Sequence, residues 1–163
     1  MSKREDIAGD IITKLTAVSS PITFKKITRE PFEPEELADP QFPAVYIQTG
    51  DETREMLSLG EVGTGKRSGT IDFLIVGFVK GTDTNIDTLR NQLIEVVEET
   101  LDNDITRNGN ALNTQIIEAN TDEGVLFPYG GVRIMVRVFY EFVRGSAYWL
   151  NELKFISLMV MTK

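Results

Sequence analysis

The 163-residue chain has no cysteine and no histidine. The first absence removes disulfides, thiolate nucleophiles and cysteine-ligated metals. The second removes the side chain best suited to proton transfer near neutral pH, which is also the commonest metal ligand. Any catalysis would have to rest on Asp, Glu, Lys, Ser, Thr or Tyr. Because general acid–base chemistry leans so heavily on His, we expect no enzyme, no cofactor and no bound metal. A basic surplus is missing too. The formal net charge is −8, the wrong sign for gripping nucleic acid by its phosphates. No apolar run approaches membrane-spanning length, and the opening MSKREDIAGD holds no signal-peptide core. The expectation is a soluble, initially intracellular protein with no membrane partner.

What is present is ordinary for a globular chain, and the length suits one domain with a real core. Residues 3–18 read as a first helix, with Ser2 and Glu5 as a capping box and Ile7, Ile11, Leu15 and Val18 on one face. Residues 22–28 read as a short extended piece. Residues 29–43 carry Pro31, Pro34, Pro40 and Pro43 among acidic residues, which predicts an extended acidic connector without helix. A buried strand is expected over 44–48, then a long mobile Gly-rich loop over 51–69. Residues 70–80, TIDFLIVGFVK, are apolar on both faces and belong in the middle of a sheet. A second helix covers 86–101, with Thr84 and Asp87 at its start and Asn103 and Asp104 closing it. Its apolar stripe includes Ile86, Leu89, Leu93, Val96, Val97 and Leu101. Strands are expected over 115–119 and 131–143, with a turn at 120–124.

Four features invite a functional reading. Gly60 to Arg67 nearly spells a phosphate-binding loop, but Arg67 stands where Ser or Thr must hold Mg²⁺, and a strand follows where a helix is required. Lys66 and Arg67 are therefore read as basic residues of a Gly-rich loop, available for contacts with a partner. Glu95, Glu98, Glu99 and Asp102 cluster on the polar side of the second helix. Paired carboxylates can bind cations or move protons, yet nothing else in the sequence completes such a site, so a solvated or partner-facing acidic face is expected.

The last strand alternates. Val132, Ile134, Val136, Val138, Tyr140 and Phe142 form the core side. Arg133, Met135, Arg137 and Phe139 point the other way, either as arginine stems over a half-buried sheet or as a subunit interface. Residues 147–163 are rich in apolar side chains. Trp149, Leu153, Ile156 and Val160 fit a helical stripe, although 154–162 also fits a strand. This segment either packs on its own domain or docks on a neighbouring subunit.

The order of elements carries a resemblance. A capped helix and an acidic connector enter the strand Phe42-Pro43-Ala44-Val45-Tyr46-Ile47. A loop leads to Gly69-Thr70-Ile71-Asp72-Phe73-Leu74-Ile75-Val76-Gly77-Phe78, and a long helix precedes a strand ending Val138-Phe139-Tyr140-Glu141-Phe142. Over about residues 7–145 this resembles the tail terminator (tail completion) proteins of long-tailed bacteriophages. The resemblance implies an α+β fold, a single domain over residues 1–146 with a mostly antiparallel or mixed central sheet flanked by two main helices. Residues 147–163, a C-terminal apolar arm or extension, fall outside the match. It further implies a homo-oligomer, a hexameric ring that caps the tail tube protein and offers a docking surface to the head–tail connector or neck proteins. DNA only passes through the ring, whose negative charge would suit a channel that must not hold it. Such a subunit sits in the virion at the head-proximal end of the tail after assembly in the host cytoplasm, and its family has no catalytic residues to carry over. The alternatives are another neck component (a head-completion or adaptor protein), a carboxylate-dependent enzyme on the acidic helix face, and a nucleotide-binding module.

Overall fold

The computed structural model describes residues 2–57 and 65–143. α1 (Lys3–Thr16) starts where the Ser2 hydroxyl accepts the Glu5 amide at 3.4 Å. Only half of the expected capping box forms, because the Glu5 carboxylate pairs with Arg29 at 3.2 Å instead. Ile7, Ala8, Ile11 and Leu15 face inward, as their spacing requires. The helix closes at Ala17, and Val18 packs on the core from outside it.

β1 (Lys26–Thr28) pairs parallel with β2 (Ala44–Met56), and residues 29–43 make the crossover between them. This connector is not plainly extended. It makes two 3-10 turns, Pro34–Glu36 and Asp39–Gln41, each with proline in its first positions. There the missing N–H would have had no partner, and the fixed φ favours the turn. Phe32 and Leu37 from this segment are buried against Ala44 and Phe78 of the sheet, with Phe32 meeting Tyr46 edge-on at 5.4 Å.

β3 (Lys66–Lys80) occupies the middle of a five-stranded sheet of order β1-β2-β3-β5-β4, where β4 is Asn113–Thr121 and β5 is Tyr129–Val143. Apart from β1, neighbouring strands run antiparallel. Apolar runs on β3 and alternation on β5 lead to this arrangement. Ile71, Phe73 and Ile75 meet Val132, Ile134, Val136 and Val138 in one core beneath the helices. Tyr140 joins them, whereas Phe142 is only partly buried. The turn expected after β4 is present, with Glu123 and Gly124 at positive φ.

The expected mobile loop over 51–69 is largely strand. Past an irregularity at Thr49/Glu52, β2 and β3 stay in register from Glu52↔Ile71 to Met56↔Arg67. Residues 58–64 lie outside the described residues. Glycine content suggested mobility, but Gly69 serves packing. A Cβ there would lie 2.3 Å from the Tyr140 ring, so only glycine admits the ring over the strand.

α2 (Ile86–Asp102) crosses β3 at Gly77, where a Cβ would lie 2.8 Å from the buried Leu93 side chain. Thr84 precedes its N-cap, Asn85, and Asp87 lies in its first turn, as expected. The Asn85 side-chain oxygen accepts the Thr82 amide at 2.7 Å, while Asp87 pairs with Arg90 at 3.1 Å. The far end is capped by Asn103, as expected, and is backed by Arg107, fully buried at φ 49°. Its guanidinium donates to the Leu101 carbonyl in the last turn and to the Asp104 carbonyl just past it. Asp10 of α1 sits 3.4 Å from the same guanidinium, and Lys14 reaches Asp104 at 3.2 Å. α1 is thereby tied to the end of α2. Hydrogen bonds from the Thr106 hydroxyl and the Asn108 amide, with Lys14 beside them, hold the Asp104 carboxyl well below the usual carboxylate range.

Candidate functional site

Both helices pack on one side of the sheet, so the other side is where a second body can bind. At one end the connector cluster covers it. Beyond that, no element among the described residues lies over β3 and β5. Leu74, Met135 and Phe139 are half-buried there, and alternation places Arg137 between Met135 and Phe139 and Arg133 beyond Met135.

Arg137 is held by Asp72 of β3 in a two-pronged pair, Nε–Oδ1 2.8 Å and Nη2–Oδ2 2.9 Å. Register explains the pairing, since Asp72 stands directly opposite Arg137. Sequence alone left Asp72 as one acid inside an apolar strand. Its partner becomes visible only after β3 and β5 are aligned antiparallel. Arg133 and Met135, with Glu118 and Asn120 of β4, line a shallow depression of about 240 Å³. The structure thus brings Arg133, Met135, Arg137 and Phe139 onto one surface. Trp149, Leu153 and Ile156 lie outside the described residues.

The second surface is an arm. From Gly50 onward β2 has no buried residue, yet it stays paired with β3, which in turn pairs with the end of β5. Arg54, Gly69 and Tyr140 form one cross-strand row; Met56, Arg67 and Phe142 form the next. The Tyr140 and Phe142 rings stack at 5.7 Å, and the Arg54 guanidinium lies 5.2 Å from the Phe142 centroid. The Tyr140 hydroxyl donates to Glu52, which also takes Arg54 at 3.1 Å and Arg4 of α1 at 3.4 Å. Burial, together with the Glu52 hydrogen bond, pushes the Tyr140 hydroxyl up to about 12. Burial alone would raise Glu52, but the Tyr140 and Arg54 hydrogen bonds outweigh it and hold this carboxyl below its ordinary value. The arm is therefore braced, and its last described residues on the β2 side are Met56 and Leu57, 53% and 51% exposed.

Lys66 and Arg67 belong to this arm, where they open a strand; the strand-to-helix passage of a phosphate-binding loop is not formed around them. On α2, Glu95, Glu99 and Asp102 are exposed and Glu98 is half-buried. Among the described residues, no group of three or more acidic side chains is arranged to hold a metal ion. No helix among them is long and apolar enough to cross a membrane.

No protein-family model matches the chain, and no curated protein does. Among solved structures, a chain from a structure described as the virion of a native gene transfer agent (GTA) particle is similar. Its TM-score is 0.43 at 12% identity, covering 83% of this chain and 98% of that one. A likeness at that level assigns nothing to this chain.

Proposed function

We propose that this chain is a virion structural subunit, without catalytic activity, whose copies close into a hexameric ring at the head-proximal end of a phage tail. The ring ends growth of the tail tube and receives the head's connector. The observation that carries the reading is the braced arm. Strands β2, β3 and β5 continue past the buried core in register and expose Met56 and Leu57. Exposed apolar side chains on an ordered projection suit protein contact, and a preformed contact loses little entropy on binding. Repeated head-to-tail, one arm contact of this kind closes into a ring when the rotation is right. The order of elements, which resembles tail terminators, supplies the place in the particle. Under this reading Lys66 and Arg67 meet the tube or the next copy, and the acidic α2 face lines the hole or faces the connector.

The test shortens the arm in the phage that encodes the chain. Joining Glu55 to Ser68 through a two-residue turn removes Met56, Leu57, Lys66 and Arg67 and leaves Gly69 paired with Tyr140. The expected result is a folded protein with tails that overgrow or fail to join heads. Tails of normal length carrying heads would remove the arm from the mechanism.

A further inference from the structure

The two edges of the sheet differ in kind. At one edge, β4 is nine residues long and has no lysine or proline, the residues that commonly blunt an edge against pairing. Its one break in register, between Ile116 and Glu118, leaves Ile117 45% exposed, and Leu112 just before the strand is 56% exposed. Among the described residues no strand pairs with its outer side. At the other edge, β1 is only three residues long and carries Lys26, with Lys25 before it. We infer that these unlike edges bind one another between copies, the outer side of β4 in one copy taking β1 of the next, head to tail. The inference deepens the ring reading by naming a contact between copies, and it rests on that reading for their meeting at all.

Strand direction permits the pairing. β1 and β2 run parallel and every later pair of neighbours is antiparallel, so β1 and β4 run in opposite directions. A second copy set alongside, with its helices on the same side, therefore brings its β1 antiparallel to β4. Main-chain groups left open at the two edges then satisfy each other, as in other cases of strand addition.

Charge selects the unlike edges. Over residues 112–124 every charged side chain is acidic, namely Glu118, Asp122 and Glu123. Over residues 19–29 every one is basic, namely Lys25, Lys26 and Arg29. Asp122 is held by Arg90, and Arg29 by Glu5. Glu118, Glu123, Lys25 and Lys26 form no ion pair among the described residues. Pairing β4 with β4 would gather acids without a base, and β1 with β1 the reverse, whereas β4 with β1 joins opposite charges. A contact between unlike edges leaves each copy a free edge for the next. It occupies the backbone edge, so the open face keeps its exposed Arg133 in water. A pairing of three residues buries far less than the roughly 1,200 Å² of a stable interface. Dilute protein should therefore be monomeric, and the contact should tighten where copies are held together.

The absence of cysteine allows a direct test in the full chain. One chain carries Thr23→Cys and a second, of distinguishable mass, carries Ala119→Cys; both positions are exposed. Mixed at high concentration and low salt with a short bismaleimide, they should cross-link to each other in several-fold excess over like pairs. Glu118→Lys with Glu123→Lys on the second chain should remove the excess, and Lys25→Glu with Lys26→Glu on the first should restore it, with the circular dichroism of each chain unchanged. An excess of like pairs of the Ala119→Cys chain would mean a two-fold β4 contact and overturn the inference. Random proportions, no cross-links, or an excess indifferent to charge reversal would overturn it as well. The same chains in particles separate the two readings. A ring without these cross-links overturns the inference alone, whereas the cross-links with no ring at the tail end overturn only the ring reading.

Discussion

Arg107 shows how much of this fold rests on single buried charges. One guanidinium backs the end of α2 and meets Asp10 of α1, so Arg107→Ala leaves a carboxylate buried without its partner. Breaking a buried pair in this way costs about 3–5 kcal/mol, and urea unfolding should show a loss of that order. Arg107→Lys should recover little, because an ammonium lacks the planar fork that meets two carbonyls and a carboxylate together. Tyr140 gives a signed pH dependence. Its hydroxyl titrates near 12 in the folded chain against 10.0 for an ordinary tyrosine. The raised folded value means its contribution is complete below pH 10 and lost as pH rises from 10 to 12. Tyr140→Phe should therefore lose about 1 kcal/mol at neutral pH and be less sensitive across that alkaline window, as read by chemical denaturation at stepped pH. At this scale the core positions of β5 were legible, because alternation states which side chains turn inward. Asp72–Arg137 and Asp10–Arg107 were not, since each joins residues far apart in sequence whose meeting depends on register and helix docking.

Among the elements, both main helices and the central strand followed from periodicity and apolar runs, and the connector and the arm did not. Proline was read as a bar to helix, yet at the head of a 3-10 turn it helps. Glycine was read as mobility, yet Gly69 is the floor on which Tyr140 rests. The second error is testable. Gly69→Ala places a Cβ against a buried ring, and overpacking of this kind costs about 1–3 kcal/mol. Calorimetry should find the variant destabilised, and Tyr140→Ala in the same chain should relieve much of the clash, giving a non-additive double mutant. A truly mobile loop would tolerate the alanine with no measurable change. The ends of α2 fell within a residue of expectation, with Asn103 as its C-cap. Asp87 lies in the first turn as expected, and its partner there is Arg90.

For the whole molecule, the α+β architecture was legible because strand and helix patterns come in a definite order along the chain. Which surfaces stay uncovered was not, because an apolar side chain in a strand reads the same whether it meets its own core or another body. The structure separates these cases. It shows one sheet face buried by helices, the other partly open, and strands β2 and β3 running on past Tyr140, the last core residue of β5. The central claim is that this chain is built to fit against copies of itself at one end of a tube. Cryo-electron microscopy of purified particles, with the chain located and its copies counted, tests that most directly. The account predicts a closed ring of six copies between the last tube layer and the head connector, with the Met56–Leu57 end of each arm against a neighbour. Particles with complete, joined tails and no copy of this chain in them would contradict it.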